Sequence, residues 1–215
     1  MPEPVRIEIP ERAERETLGA FVARAVRLET EGVVRLRNRE GGLVEAWFAT
    51  PFDVLATRTV AGTVEPGDAT VSGNELLAAL AVVGGPHLDA GPPRDLLWRA
   101  PLPPQQGWSA LDTPPASVLA ELAEKGVELA KANTGPTGNP PASLLDQSVL
   151  TVEGSGLRVE IPMRALFAMS GMGFLDREVP DGERVKVTAT DAWMRVDARF
   201  GAIVRRRHAQ LPLLL

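Results

Sequence analysis

His87 and His208 are the only imidazoles in this chain of 215 residues, and neither stands beside a carboxylate or a nucleophile motif. His87 falls among glycines and prolines, His208 in an arginine-rich stretch. General acid–base and nucleophilic catalysis need such a group within hydrogen-bond reach of a partner, so no catalytic residue is nominated. Cysteine is absent, which removes disulfides, thiol nucleophiles, iron–sulfur clusters of the usual kind and cysteine-held zinc together. No metal-ligand spacing, phosphate-binding loop or nucleophile elbow occurs, and Gly41-Gly42 and Gly84-Gly85 read as a hairpin and a helix stop. The expectation is a protein without metal or cofactor and not an enzyme, with an enzyme whose site is unrecognised as the remaining alternative.

The chemistry that remains is recognition. Arg205-Arg206-Arg207-His208-Ala209-Gln210-Leu211-Pro212-Leu213-Leu214-Leu215 is a basic run with an apolar end. Its leucines either dock on the protein's own core or act as a short motif in a partner's groove, with Gln210, Leu211, Leu213 and Leu214 as anchors. The arginines would then steer the encounter. Alternation over Leu43–Phe48 places Val44, Ala46 and Phe48 on one face and Glu45 with Trp47 on the other. Trp47 is therefore either a partner anchor or a side chain buried beneath the proline-rich connector of residues 86–115.

A second recognition reading uses arginine on phosphate. Arg12, Arg24 and Arg27 lie opposite Leu18, Phe21, Val22 and Ala25 on a helical pattern, and Arg205, Arg206 and Arg207 add to them as nucleic-acid contacts. Glu16 sits in the middle of that face and dilutes it. Glu121, Glu124 and Glu128 read as the wet side of a helix, with Glu121 and Lys125 at pairing distance in sequence. A net charge of −5 disfavours bulk attraction to nucleic acid or anionic lipid and points to protein partners. No apolar run reaches the roughly 18 residues that span a bilayer, and Met1–Pro10 is charged, so a cytoplasmic protein without membrane contact is expected.

What positions these residues is a duplicated unit. Val5-Arg-Ile-Glu-Ile-Pro-Glu-Arg-Ala13 matches Leu157-Arg-Val-Glu-Ile-Pro-Met-Arg-Ala165 at six of nine positions. A helical pattern to about Leu28 comes after the first copy, then strands over Val33–Asn38, Leu43–Phe48 and Phe52–Val60. After the second come a helix through Ala165–Met169 and strands over Val185–Thr190, Trp193–Ala198 and Gly201–Arg206, with Phe52 and Phe200 in register. The fold class is α+β, two βαβββ units of antiparallel sheet with packed helices, in a chain that forms one compact body over 1–215.

The first unit covers 5–60 and the second 148–206. A strand–helix piece with capping-box spacing (Ser72, Glu75) and a proline-rich connector fill 61–115. Between residues 86 and 115, Pro86, Pro92, Pro93, Pro101, Pro103, Pro104, Pro114 and Pro115 exclude a long helix or a central strand, and Trp98 and Trp108 imply packing on a surface. A helix from Pro114 to about Lys131, with Val118, Leu119, Leu122 and Leu129 on one face, and a loop occupy 116–147. The tail is 207–215.

The βαβββ order of residues 5–60 and 157–206 resembles the unit of the bacterial DNA polymerase sliding clamp, and Val64-Glu-Pro-Gly-Asp-Ala-Thr-Val-Ser-Gly-Asn-Glu-Leu-Leu77 is similar to the clamp passage between units. The resemblance covers about half of the chain. It implies the domain fold and not a ring around DNA, because a clamp subunit holds three such domains. Gln210-Leu211-Pro212-Leu213-Leu214 resembles the Gln-Leu-x-Leu-Phe peptide that binds the clamp's groove, with Leu214 in place of the aromatic. That second resemblance implies the sliding clamp as partner.

Overall fold

The computed structural model describes residues 3–82, 84–132, 140–175 and 180–207. The chain divides into two compact units, Met1–Pro101 with Gly171–Gly173, and Leu102–Ser170 with Phe174–Leu215. The division falls inside the proline-rich connector, where a chain unable to continue a helix or ladder packs little against itself.

In the first unit β1 (Arg6–Glu8) leads into α1 (Arg12–Leu28), then β2 (Val33–Arg39), β3 (Leu43–Thr50) and β4 (Val54–Ala61). Gly41 and Gly42 take φ of 80° and 69° between β2 and β3, the left-handed values that glycine adopts without strain. Next come β5 (Thr63–Glu65), β6 (Asp68–Ser72) and α2 (Gly73–Val82). Antiparallel pairing orders four strands β6-β2-β3-β4.

Cross-strand rows explain the burial. Val71, Val34, Phe48 and Ala56 form one row, and Ala69, Leu36 and Ala46 the next, and all of these are buried. α1 packs on β3 and β4 and against α2, burying Leu18, Phe21, Val22 and Ala25 as its periodicity requires. The capping box of α2 is half formed. Ser72 Oγ accepts from Glu75 N at 3.4 Å, while the Glu75 carboxylate accepts from Arg94 instead.

The proline-dense segment supplies more structure than its composition suggests. His87–Asp89, which contains no proline, forms β7 and pairs with β1, giving a three-stranded sheet β5-β1-β7. A 3-10 turn at Asp95–Leu97 is tied to the β6 edge, since Thr70 N donates to Asp95 Oδ1 at 2.7 Å and Arg94 N donates to Thr70 O at 2.6 Å.

The second unit begins with β8 (Ser109–Ala110) and α3 (Ala116–Ala132), which starts two residues later than expected because Pro115 bridges to Arg184 as extended chain. The short α4 (Ala142–Leu145), β9 (Ser148–Gly154), β10 (Leu157–Pro162), α5 (Met163–Gly171), β11 (Lys186–Ala189), β12 (Trp193–Ala198) and β13 (Gly201–Arg206) come next. Four strands run β13-β12-β11-β8, and β9 with β10 make a separate antiparallel pair. β1-α1-β2-β3-β4 and β10-α5-β11-β12-β13 thus share one order, with the matching peptides at Val5 and Leu157 in equivalent first strands.

The buried stripe of α3 is Ala116, Leu119, Ala123 and Gly126, not the face of large residues expected, for Val118 and Leu129 are 37% and 49% exposed. A Cβ at Gly126 would fall 2.3 Å from Met163 Sδ, so the helix approaches α5 through its small residues.

Candidate functional site

Trp47 stands in a cross-strand row with Thr70, Arg35 and Thr57, on the face of β6-β2-β3-β4 opposite the apolar rows. It is 1% exposed, and its indole N–H donates to Glu45 at 3.2 Å, which removes it as a surface anchor. The connector provides cover on that side, as Trp98 lies over the Arg35 guanidinium with 5.9 Å to its ring centre. Arg35 also makes a two-pronged bond to Asp68 at 2.7 and 2.8 Å. That side-chain hydrogen bond outweighs the opposing desolvation and, with the charges of Asp68 and Asp95, pushes the guanidinium pKa further up.

In the next row Glu45 accepts from Arg37 at 2.9 Å and Arg39 at 3.1 Å, so the arginines of β2 are spent within the sheet. Those named for nucleic acid are mostly occupied as well. Arg12 pairs with Glu16 at 2.8 Å, the Arg24 guanidinium packs on Gly173, and Arg27 is exposed. Arg206 lies over Trp193, 4.9 Å from its ring centre, and Arg205 donates to the Arg206 carbonyl at 3.3 Å. Arg207 donates to Thr190 O at 2.9 Å and to Arg158 O at 2.7 Å.

His208, Gln210, Leu211, Leu213 and Leu214 lie outside the described residues. His87, expected away from any acid, is instead on β7, and the sheet register sets it directly opposite Glu8 of β1. Arg6 stands between Glu65 and Asp89 in the neighbouring row. Together they line a shallow cleft of about 440 Å³ whose charges alternate across the strands. This is a complementary solvated sheet face. Among the described residues no group of three or more His, Asp or Glu could hold a metal ion. No described helix is long and apolar enough to cross a membrane.

Leu96 and Leu97, 93% and 56% exposed on the pinned 3-10 turn, are surface residues that sequence reasoning missed. The signal is the apolar run Leu96-Leu97-Trp98, which the flanking prolines disguise as plain connector.

With two βαβββ units, antiparallel four-stranded sheets and helices packed on them, the architecture is that of the DNA polymerase sliding clamps. A putative DNA polymerase III beta subunit from Eubacterium rectale superposes with a TM-score of 0.60 at 11% identity, over 99% of this chain and 66% of that one. The sliding clamp of Caulobacter crescentus gives 0.58 at 16%, over 98% and 67%, and that of Bacillus subtilis 0.59 at 14%, over 98% and 66%. The chain therefore spans about two thirds of the length of these clamps. Residues 103–210 match the family model described as a domain of unknown function, DUF8185, and the chain belongs to that family. Residues 2–100 match a second model described in the same words, DUF8010. A search of curated proteins returns no match.

Proposed function

We propose that this chain is a non-enzymatic interaction protein on a sliding-clamp scaffold, and that it binds a DNA polymerase sliding clamp through Gln210-Leu211-Pro212-Leu213-Leu214. The observation that carries the non-enzymatic part is the clamp fold over 99% of the chain, with His87 and the carboxylates disposed as a solvated sheet face. Support for the peptide is its composition, one amide and three leucines following Arg207, whose guanidinium is fixed on the carbonyls of Thr190 and Arg158. A short apolar motif rooted on a rigid strand end loses less entropy on binding than one on a free tail.

The test is titration of the full chain into the sliding clamp of the same cell, read by biolayer interferometry. A Leu211→Ala/Leu213→Ala/Leu214→Ala variant is expected to weaken binding about tenfold or more with an unchanged melting temperature. Equal binding by both proteins, or none by the native chain, would overturn the reading.

A further inference from the structure

α3 is apolar on two sides. Ala116, Leu119, Ala123 and Gly126 form the side it buries. Val118, Leu122 and Leu129 fall together about a third of a turn away, in the four- and seven-residue steps of an apolar stripe, and Lys125 completes the row. Val118 and Leu129 are exposed and Leu122 is half-buried, so the larger apolar side chains stand at the surface while the smaller ones make the core contact. Folding alone favours the reverse, because burying a leucine removes more apolar area from water than burying an alanine. Single leucines scattered on a surface need no explanation. A row over three turns, about 16 Å long, is the pattern by which one helix holds another.

A third side of the helix selects the occupant. Glu121, Glu124 and Glu128 are exposed and run alongside the stripe, about a quarter of a turn from it. We propose that α3 is a docking face for a basic amphipathic helix of a partner protein. The partner lays apolar residues of the same spacing along Val118, Leu122 and Leu129 and sets lysines or arginines against Glu121 and Glu128.

Charge separates this occupant from the others. Nucleic acid and anionic lipid are repelled by the acidic side. A second copy meets the same difficulty. A two-fold axis across α3 runs the two helices antiparallel and opposes Val118 to Leu129, but it also lays the glutamates of one copy beside those of the other. A basic helix carries the opposite sign along that edge and gains where the second copy loses. Lys125 breaks the apolar row once, and a single polar residue in such a row fixes register at some cost in affinity. Contact over three turns suits a transient complex rather than a permanent one. The face is independent of the clamp-binding peptide, and neither reading rests on the other.

Fluorescence anisotropy with labelled peptides and the full chain tests it. The probe is a synthetic helix of about 18 residues, roughly five turns, with leucines in the stripe spacing and lysines along one flank. One control carries glutamates in place of the lysines, and a second keeps the composition but scatters the leucines around the helix. At roughly 150 mM salt the striped basic peptide is expected to bind at least about tenfold more tightly than either control. Val118→Gln/Leu129→Gln leaves the net charge unchanged and is expected to weaken that binding about tenfold with no change in melting temperature, since both side chains are exposed. Glu121→Lys/Glu128→Lys is expected to turn the preference towards the glutamate peptide. No binding, equal binding of the striped and scattered peptides, or binding untouched by Val118→Gln/Leu129→Gln would overturn the proposal. So would self-association of the native chain in sedimentation that Val118→Gln/Leu129→Gln abolishes, which would give the face to a second copy.

Discussion

Glu45 is 5% exposed and receives three donors, the guanidiniums of Arg37 and Arg39 and the indole of Trp47. Removing such a carboxylate strands its partners, and Glu45→Ala is expected to cost about 3 kcal/mol, against about 1 to 2 for Glu45→Gln, which keeps an acceptor. The Arg12–Glu16 pair has side chains 83% and 64% exposed, and Glu16→Ala is expected to change stability by no more than about 0.5 kcal/mol. Urea unfolding midpoints decide the order, and equal losses at Glu45 and Glu16 would refute it. The face of Trp47 was legible in the alternation of Leu43–Phe48. Burial beneath the proline-rich connector was one of its two readings from sequence, and the 1% exposure decides for it, although period-two patterning alone fixes the side a residue takes and not what covers it.

At the scale of elements, the repeat was legible because β1 and β10 keep both the peptide and the order of the helix and strands after it. The packing face of α3 was not. Large apolar residues were read as the buried side, whereas the helix buries Ala116, Leu119, Ala123 and Gly126 and leaves Leu129 49% exposed. Close approach of two helices favours small residues, which hydrophobicity ranks poorly. Gly126→Leu would drive a side chain into Met163 and Phe167 and is expected to cost about 2 to 3 kcal/mol, a fall of roughly 5 to 10 °C in melting temperature. Leu129→Ala is expected to stay within about 0.5 kcal/mol. A melting temperature lowered more by Leu129→Ala than by Gly126→Leu would restore the face that hydrophobicity suggests.

For the whole molecule, the two family matches, 2–100 and 103–210, meet at the boundary between the compact units, Pro101 and Leu102. The clamp fold alone would invite a DNA-binding reading, and the charges argue against it. The chain carries −5, α3 holds three glutamates against two lysines, and α1 spends Arg15 on the carbonyls of Ile9 and Pro10 and Arg12 on Glu16. Affinity for DNA comes chiefly from cations free to displace counterions, and an arginine already paired within the fold contributes little. Fluorescence anisotropy with a labelled duplex is accordingly expected to show binding weaker than about 10⁻⁴ M at roughly 150 mM salt. Charge reversal at Arg24 and Arg27 should leave that result unchanged. Tight binding that falls steeply with salt, and that Arg24→Glu/Arg27→Glu abolishes, would move the function from a protein partner to the nucleic acid itself.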